Sequence, residues 1–164
     1  MASRYSYRDD ASCRAAGAIA RARGHYTRDE LIEVCGWKTP RSRPLVAANT
    51  GRRVVEVTQR AFAAVDERTR MKALVELRGV GVPTASALLH FAYPDESPII
   101  DVRALESLGV ERKASPGVGL WLAYATSCRE LAAAHRVSIR TLDKALWQYS
   151  KGHASRRRRA RPCR

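Results

Sequence analysis

The chain is short of the residues that make covalent or metal cross-links. It holds four cysteines, Cys13, Cys35, Cys128 and Cys163, and no two form a Cys-x-x-Cys pair. A zinc or iron–sulfur site is therefore unsupported, and buried or free thiols are expected. It also lacks an apolar run long enough to span a bilayer, and the polar start Met1 to Asp10 has no signal-peptide core. No membrane association and a cytoplasmic location are expected. No repeat of solenoid length is present. Acidic residues are scarce too: 16 against 30 lysines and arginines, for a net charge of +14.

That imbalance is not confined to one end. Seven basic residues fall in 151–164, which holds no acidic residue, yet the rest still carries 23 basic and 16 acidic residues. An Arg-rich genome explains arginine over lysine but not an excess of positive over negative charge. A field of this sign draws in polyanions, nucleic acid above all. With 164 residues and 45% apolar content, the chain supports one domain with its own core.

Helical signals run the length of the chain. Residues 10–23 are alanine-rich and stop at Gly24. Thr27-Arg28-Asp29-Glu30 is a capping box opening a helix that Gly36 is expected to close. Trp37-Lys38-Thr39-Pro40-Arg41-Ser42-Arg43-Pro44 is a polar connection that joins a large aromatic to three cations. Lys38 and Arg41 suit nucleic-acid contact there. Trp37 suits either stacking on a base or capping the core. A short turn at 45–49 and a helix at 52–65 follow. Strand is the alternative around Val54–Val57, where β-branched residues favour it, but no partner strand is evident. Asp66 caps 67–77, 116–135 is the longest helix, and Ser138 caps a last one. Gly152 onward reads as a disordered basic tail. The expected fold is all-α, with a domain at 1–150 and a tail at 151–164.

The stretch 74–108 organises the rest. An apolar helical run leads to Gly79-Val80-Gly81, and a second leaves it with Pro83 in its first turn. Two glycines one residue apart permit a tight turn and uncover backbone amides at a helix N-terminus, a favourable place for phosphate. Val80 is expected to pin the turn to the core. Gly79, Val80, Gly81, Val82 and Thr84 are the candidate phosphate contacts. Further on, Pro98-Ile99-Ile100-Asp101 is an apolar approach ending in an aspartate at a helix start.

Together these residues resemble the helix–hairpin–helix, Gly-Pro-rich-loop and aspartate module of the endonuclease III-like DNA glycosylase superfamily. Leu77-Arg78-Gly79-Val80-Gly81-Val82-Pro83-Thr84-Ala85 matches the hairpin, and Asp101 follows Pro83 by 18 residues, the family spacing from lysine to aspartate. The resemblance covers a module at 66–108. It implies a DNA-binding, cofactor-free enzyme that hydrolyses the N-glycosidic bond of a damaged or modified base, with Asp101 as the catalytic carboxylate. Pro83 stands where lyase members carry a Schiff-base lysine, so a lyase using that position is excluded. The iron–sulfur cysteines are absent, and the segment before the hairpin is shorter than in the family.

Rival readings remain beside this one. Asp101 is also an ordinary N-cap, which leaves a non-catalytic helix–hairpin–helix DNA-binding protein. A third reading is a basic helical protein that binds RNA or a protein partner. His90 is expected to be a partly exposed helix residue, and Asp95 and Glu96 solvated. Tyr26, Trp121, Tyr124 and Trp147 are expected in the core rather than a base pocket.

Overall fold

Val82–Ala92 reads Val-Pro-Thr-Ala-Ser-Ala-Leu-Leu-His-Phe-Ala, apolar on nearly every side. A helix without a polar face has to be surrounded. Here every residue of it except Pro83 is buried. The sequence suggests an inner stripe of Ala85, Leu88 and Leu89; burial instead extends around the whole helix. The computed structural model describes residues 9–110 and 116–159, with side chains to His153.

All regular structure among the described residues is helical. The helices are α1 (Ala11–Arg23), α2 (Arg28–Lys38), α3 (Arg43–Ala47), α4 (Gly51–Ala63), α5 (Glu67–Leu74), α6 (Val82–Ala92), α7 (Val102–Ser107), α8 (Val118–Ala134) and α9 (Ile139–Arg159). The central α6 is packed by α1, α2 and α5, while α8 joins α5 to α9 and α7 lies on α9. Gly17 lets α1 and α6 touch backbone to backbone: a Cβ there would stand 2.2 Å from the Phe91 carbonyl oxygen. None of these helices is long and apolar enough to cross a membrane.

Local chemistry sets the boundaries. Gly24 ends α1 at φ 87°, and the Thr27–Glu30 capping box opens α2 as expected. Gly36 does not close α2, which runs on to Lys38. Glycine weakens a helix without forbidding it, and the buried Leu31, Val34, Cys35 and Trp37 hold the last turn against the core. The segment 51–63 is helix rather than strand. Asp66 caps α5, but α5 stops at Leu74 and single turns carry the chain to Leu77. The last helix continues to Arg159, beyond the Gly152 at which the sequence suggests a tail. Residues 160–164 lie outside the described residues, as does Cys163.

Candidate functional site: the turn at Gly79 and the Asp101 cluster

The turn between α5 and α6 is held from below. Asn49, buried after α3, accepts from the Arg78 amide through Oδ1 and donates through Nδ2 to the Arg78 carbonyl, both at 3.0 Å. Gly79 sits at φ 78°, and a Cβ on it would meet Leu45 Cβ at 2.8 Å and the Val46 nitrogen at 2.9 Å. Glycine is thus required twice, for the left-handed backbone and for the close approach to α3. Val80 is buried and anchors the turn, as expected. Gly81 is exposed and opens α6 as its N-cap. Among the described residues the amides of Gly79, Gly81 and Val82 donate to no protein acceptor. They lie at the positive end of an eleven-residue helix. Arg78, next to Gly79 in the chain, is exposed, as are Arg41 and Arg43, whereas Thr84 is buried, its hydroxyl 3.4 Å from that of Thr39.

The approach to Asp101 is an extended buried segment without a sheet to pair with. Buried backbone groups need partners, and side chains supply them. His90 Nδ1 meets the Ser97 carbonyl at 2.8 Å, Trp121 Nε1 donates to the Pro98 carbonyl at 3.2 Å, and Tyr124 Oη donates to that of Ile99 at 3.2 Å. The Ile99 amide donates to Asp143 Oδ2 at 3.2 Å and the Ile100 amide to Ser86 Oγ at 3.1 Å. Ser86 is the fifth of the eleven residues of α6, so the residue before Asp101 is tied to the middle of the helix that the Gly79–Val82 turn opens.

Asp101 then caps α7, its Oδ1 accepting from the Arg103 amide at 2.9 Å. Its Oδ2 pairs with Lys38 Nζ at 2.9 Å; the Lys38 side chain is 9% exposed, that of Asp101 33%. Partial burial works to raise the Asp101 carboxyl, but Lys38 and the Arg103 amide and guanidinium outweigh it and hold the group below the usual range. Behind the pair is a cavity of about 20 Å³ lined by Lys38, Ile99, Asp101, Ala104, Arg140, Asp143 and Trp147. Asp143 is buried, and burial pushes it up to about 7. The Trp147 ring is covered by Arg103 at 5.4 Å and Lys151 at 5.0 Å.

Several sequence expectations are corrected here. Trp37 is in the core, not at a nucleic-acid surface: its Nε1 donates to the Asp9 carbonyl at 3.0 Å and its ring stands edge-on to Phe91. Lys38 points inward to Asp101 because α2 runs two residues past Gly36. His90 is buried rather than partly exposed, and burial lowers it to about 4. Tyr26, Trp121 and Tyr124 are core residues as expected, while Trp147, expected in the core, is half-buried and lines the cavity. Asp95 and Glu96 are exposed. Lys38 as the partner of Asp101, and Asp143 on the same cavity, were missed, because nothing local in the sequence joins positions 38, 101 and 143.

A second, larger cleft of about 850 Å³ lies at the other end of α6. Arg14, Arg21, Phe91, Arg140 and Lys144 contribute to its walls. Cys13, Cys35 and Cys128 are buried free thiols pushed up to about 12 or above by desolvation, which makes them poor nucleophiles. No cluster of three or more His, Cys, Asp or Glu fit for a metal occurs among the described residues. No protein-family model, no curated protein and no solved structure matches the chain.

Proposed function

We propose that this chain binds DNA through a helix–hairpin–helix formed by α5, the Gly79–Val82 turn and α6, and excises a base from it with Asp101 as the catalytic carboxylate. The observation that carries the reading is that α6 holds both features: open amides for phosphate at its N-terminus, and a charged carboxylate whose neighbour Ile100 is bonded to Ser86. Amides of this kind position a phosphate backbone without reading sequence. The excess of basic residues supplies the long-range attraction. Cleaving an N-glycosidic bond develops positive charge on the sugar, and an aspartate kept ionised by Lys38 stabilises it. The reading takes no cofactor and places the protein with DNA in the cytoplasm.

A second reading is a non-catalytic DNA-binding protein on the same scaffold. Asp101 is already engaged as a helix cap and ion-pair partner, and the cavity behind it is far too small for a base. A flipped base would therefore have to stack on the exposed side of Asp101. The larger cleft is lined by His90, Phe91 and Ala92 at the C-terminal end of α6, and Arg140 lines both it and the small cavity.

Duplexes bearing a panel of alkylated, deaminated and oxidised bases, treated with the protein and then alkali, separate the readings. Excision that disappears in Asp101→Asn while DNA affinity persists supports the enzyme. Binding without cleavage of any lesion supports the second reading, and absence of DNA binding sinks both.

A further inference from the structure

We propose that the large cleft at the C-terminal end of α6 binds a small organic phosphate monoester, its phosphate held by Arg14 and Arg21 and its apolar body laid against the alanines of α1. The inference is independent of the DNA-binding reading, which rests on the N-terminal turn of α6 and on Asp101.

The cleft has the size and mixed chemistry of a small-ligand site. Its volume of about 850 Å³ falls in the range of pockets that enclose such molecules, where apolar walls carry a few placed polar groups. One wall is a stripe of α1. Arg14, Ala18, Arg21 and Ala22 stand at i, i+4, i+7 and i+8, the spacing of one helix face. The two arginines are two turns apart, about 10.5 Å along the axis, and the alanines leave space for a ligand body. Phe91 and Pro94, at and beyond the end of α6, add apolar lining, and the start of α9 contributes Ser138 and Thr141. The negative end of α6 and the positive end of α9 meet here and offset each other, so side chains decide the charge.

That charge selects the ligand. Four cations line the cleft, Arg14, Arg21, Arg140 and Lys144, against one acid, Asp95. Asp10, buried and outside the lining, takes up one more charge: it pairs with Arg14 Nε at 3.1 Å and with Arg140 at 2.7 Å. An excess of two positive charges remains. A phosphate monoester carries about −1.5 to −2 at pH 7 and matches it, whereas a carboxylate leaves one charge over.

The donors are in place. Arg140 is committed to Asp10 through Nε and Nη2 and contributes charge rather than a contact. Arg14 is exposed and gives Asp10 only its Nε, so its terminal amino groups bond to nothing else among the described residues. Arg21 is exposed and makes no side-chain hydrogen bond among the described residues; it rests over the Tyr93 ring at 5.0 Å, which fixes its direction and leaves its N–H groups to a ligand. His90 supplies an acceptor. Its Nδ1 meets the Ser97 carbonyl, which only accepts, and burial keeps the ring neutral. Nδ1 therefore carries the proton, and Nε2 is an acceptor with no partner among the described residues. A nucleoside monophosphate has the matching parts: a phosphate, a flat ring, and hydroxyl or amino donors.

Isothermal titration of the full chain with the four deoxynucleoside 5′-monophosphates, the four deoxynucleosides and inorganic phosphate tests the site. At least one monophosphate should bind about tenfold or more tightly than its own nucleoside and than inorganic phosphate. In 15N–1H NMR spectra it should shift the amides of Ala18, Ala22 and Phe91. Arg14→Glu and Arg21→Glu should each lose about tenfold or more in affinity with unchanged circular dichroism. Arg52→Glu, the same change of charge at an exposed position of α4, should lose less than about twofold. Binding by none of the monophosphates, equal binding by the nucleosides, an equal loss in Arg52→Glu, or amide shifts at Gly79–Val82 in place of α1 each overturns the proposal.

Discussion

Lys38 Nζ lies 2.9 Å from Asp101 Oδ2, joining the last residue of α2 to the cap of α7 across 63 positions of chain. The pair explains how a partly buried carboxylate remains charged. Replacing Lys38 by Met should raise the Asp101 titration, since the cation that lowers it is gone, and should cost roughly 1–2 kcal/mol of stability at pH 7. The lowered Asp101 stabilises the fold above its unfolded value near 4, and that contribution fades as pH falls through the folded value. The Lys38→Met penalty should therefore shrink below pH 4. Urea denaturation of both proteins across pH 3 to 7 is the measurement. A penalty that stays constant in acid would show that lost packing, not charge, is responsible.

The two glycines of the turn should behave differently. Gly79→Ala forces a side chain onto φ 78° and into Leu45 and Val46, and should cost at least about 2 kcal/mol. A Cβ on Gly81 would meet nothing nearer than Pro83 Cδ at 3.8 Å, so Gly81→Ala should change stability by less than about 1 kcal/mol. Its methyl should crowd the phosphate and weaken DNA binding. Calorimetry gives the first result and fluorescence anisotropy with a duplex the second. Equal thermal stability of the two variants would contradict the geometry.

Asp143 and His90 should impose opposite pH slopes on stability. Asp143 is raised from 3.8 to about 7, so the folded state holds the extra proton and stability declines as pH climbs between those values. His90 is lowered from 6.5 to about 4, so the unfolded state binds the extra proton and stability increases over nearly the same window. The two largely cancel. Asp143→Asn should leave a stability curve rising more steeply between pH 4 and 6.5 than wild type. His90→Gln should leave one falling towards pH 7. Denaturation free energies at half-unit pH steps measure both, and parallel curves for all three proteins would refute the assignment.

DNA affinity should fall steeply with salt, as expected where cations displace condensed counterions. Arg41 and Arg78 are exposed. Alanine at either position should weaken binding similarly on all sequences and reduce the logarithmic salt slope by about 1. Titrations at several potassium chloride concentrations test this. An unchanged slope in both variants would move the interface elsewhere on the surface.

The sequence by itself determined what depends on neighbours along the chain. Thr27 and Glu30 cap α2, Gly24 ends α1, Val80 points inward, and Asp101 begins a helix, because caps, turns and apolar periodicity act over three or four residues. The charge excess is equally a property of composition. The tertiary structure decided what depends on distant positions meeting. Gly36 failed to end α2 because core contacts outweighed its local preference, and that extension carried Lys38 to Asp101. Trp37 and His90 went inside for the same reason: long-range packing outweighed the polar character of their neighbours. The extended segment before Asp101 survives burial only because Ser86, His90, Trp121, Tyr124 and Asp143 arrive from three helices to satisfy its backbone. No pattern of period two or 3.6 encodes that arrangement. The sequence thus specified a glycine turn and a capping aspartate, while the folded core decided that α6 holds them both and that a second carboxylate lines the same cavity as the first.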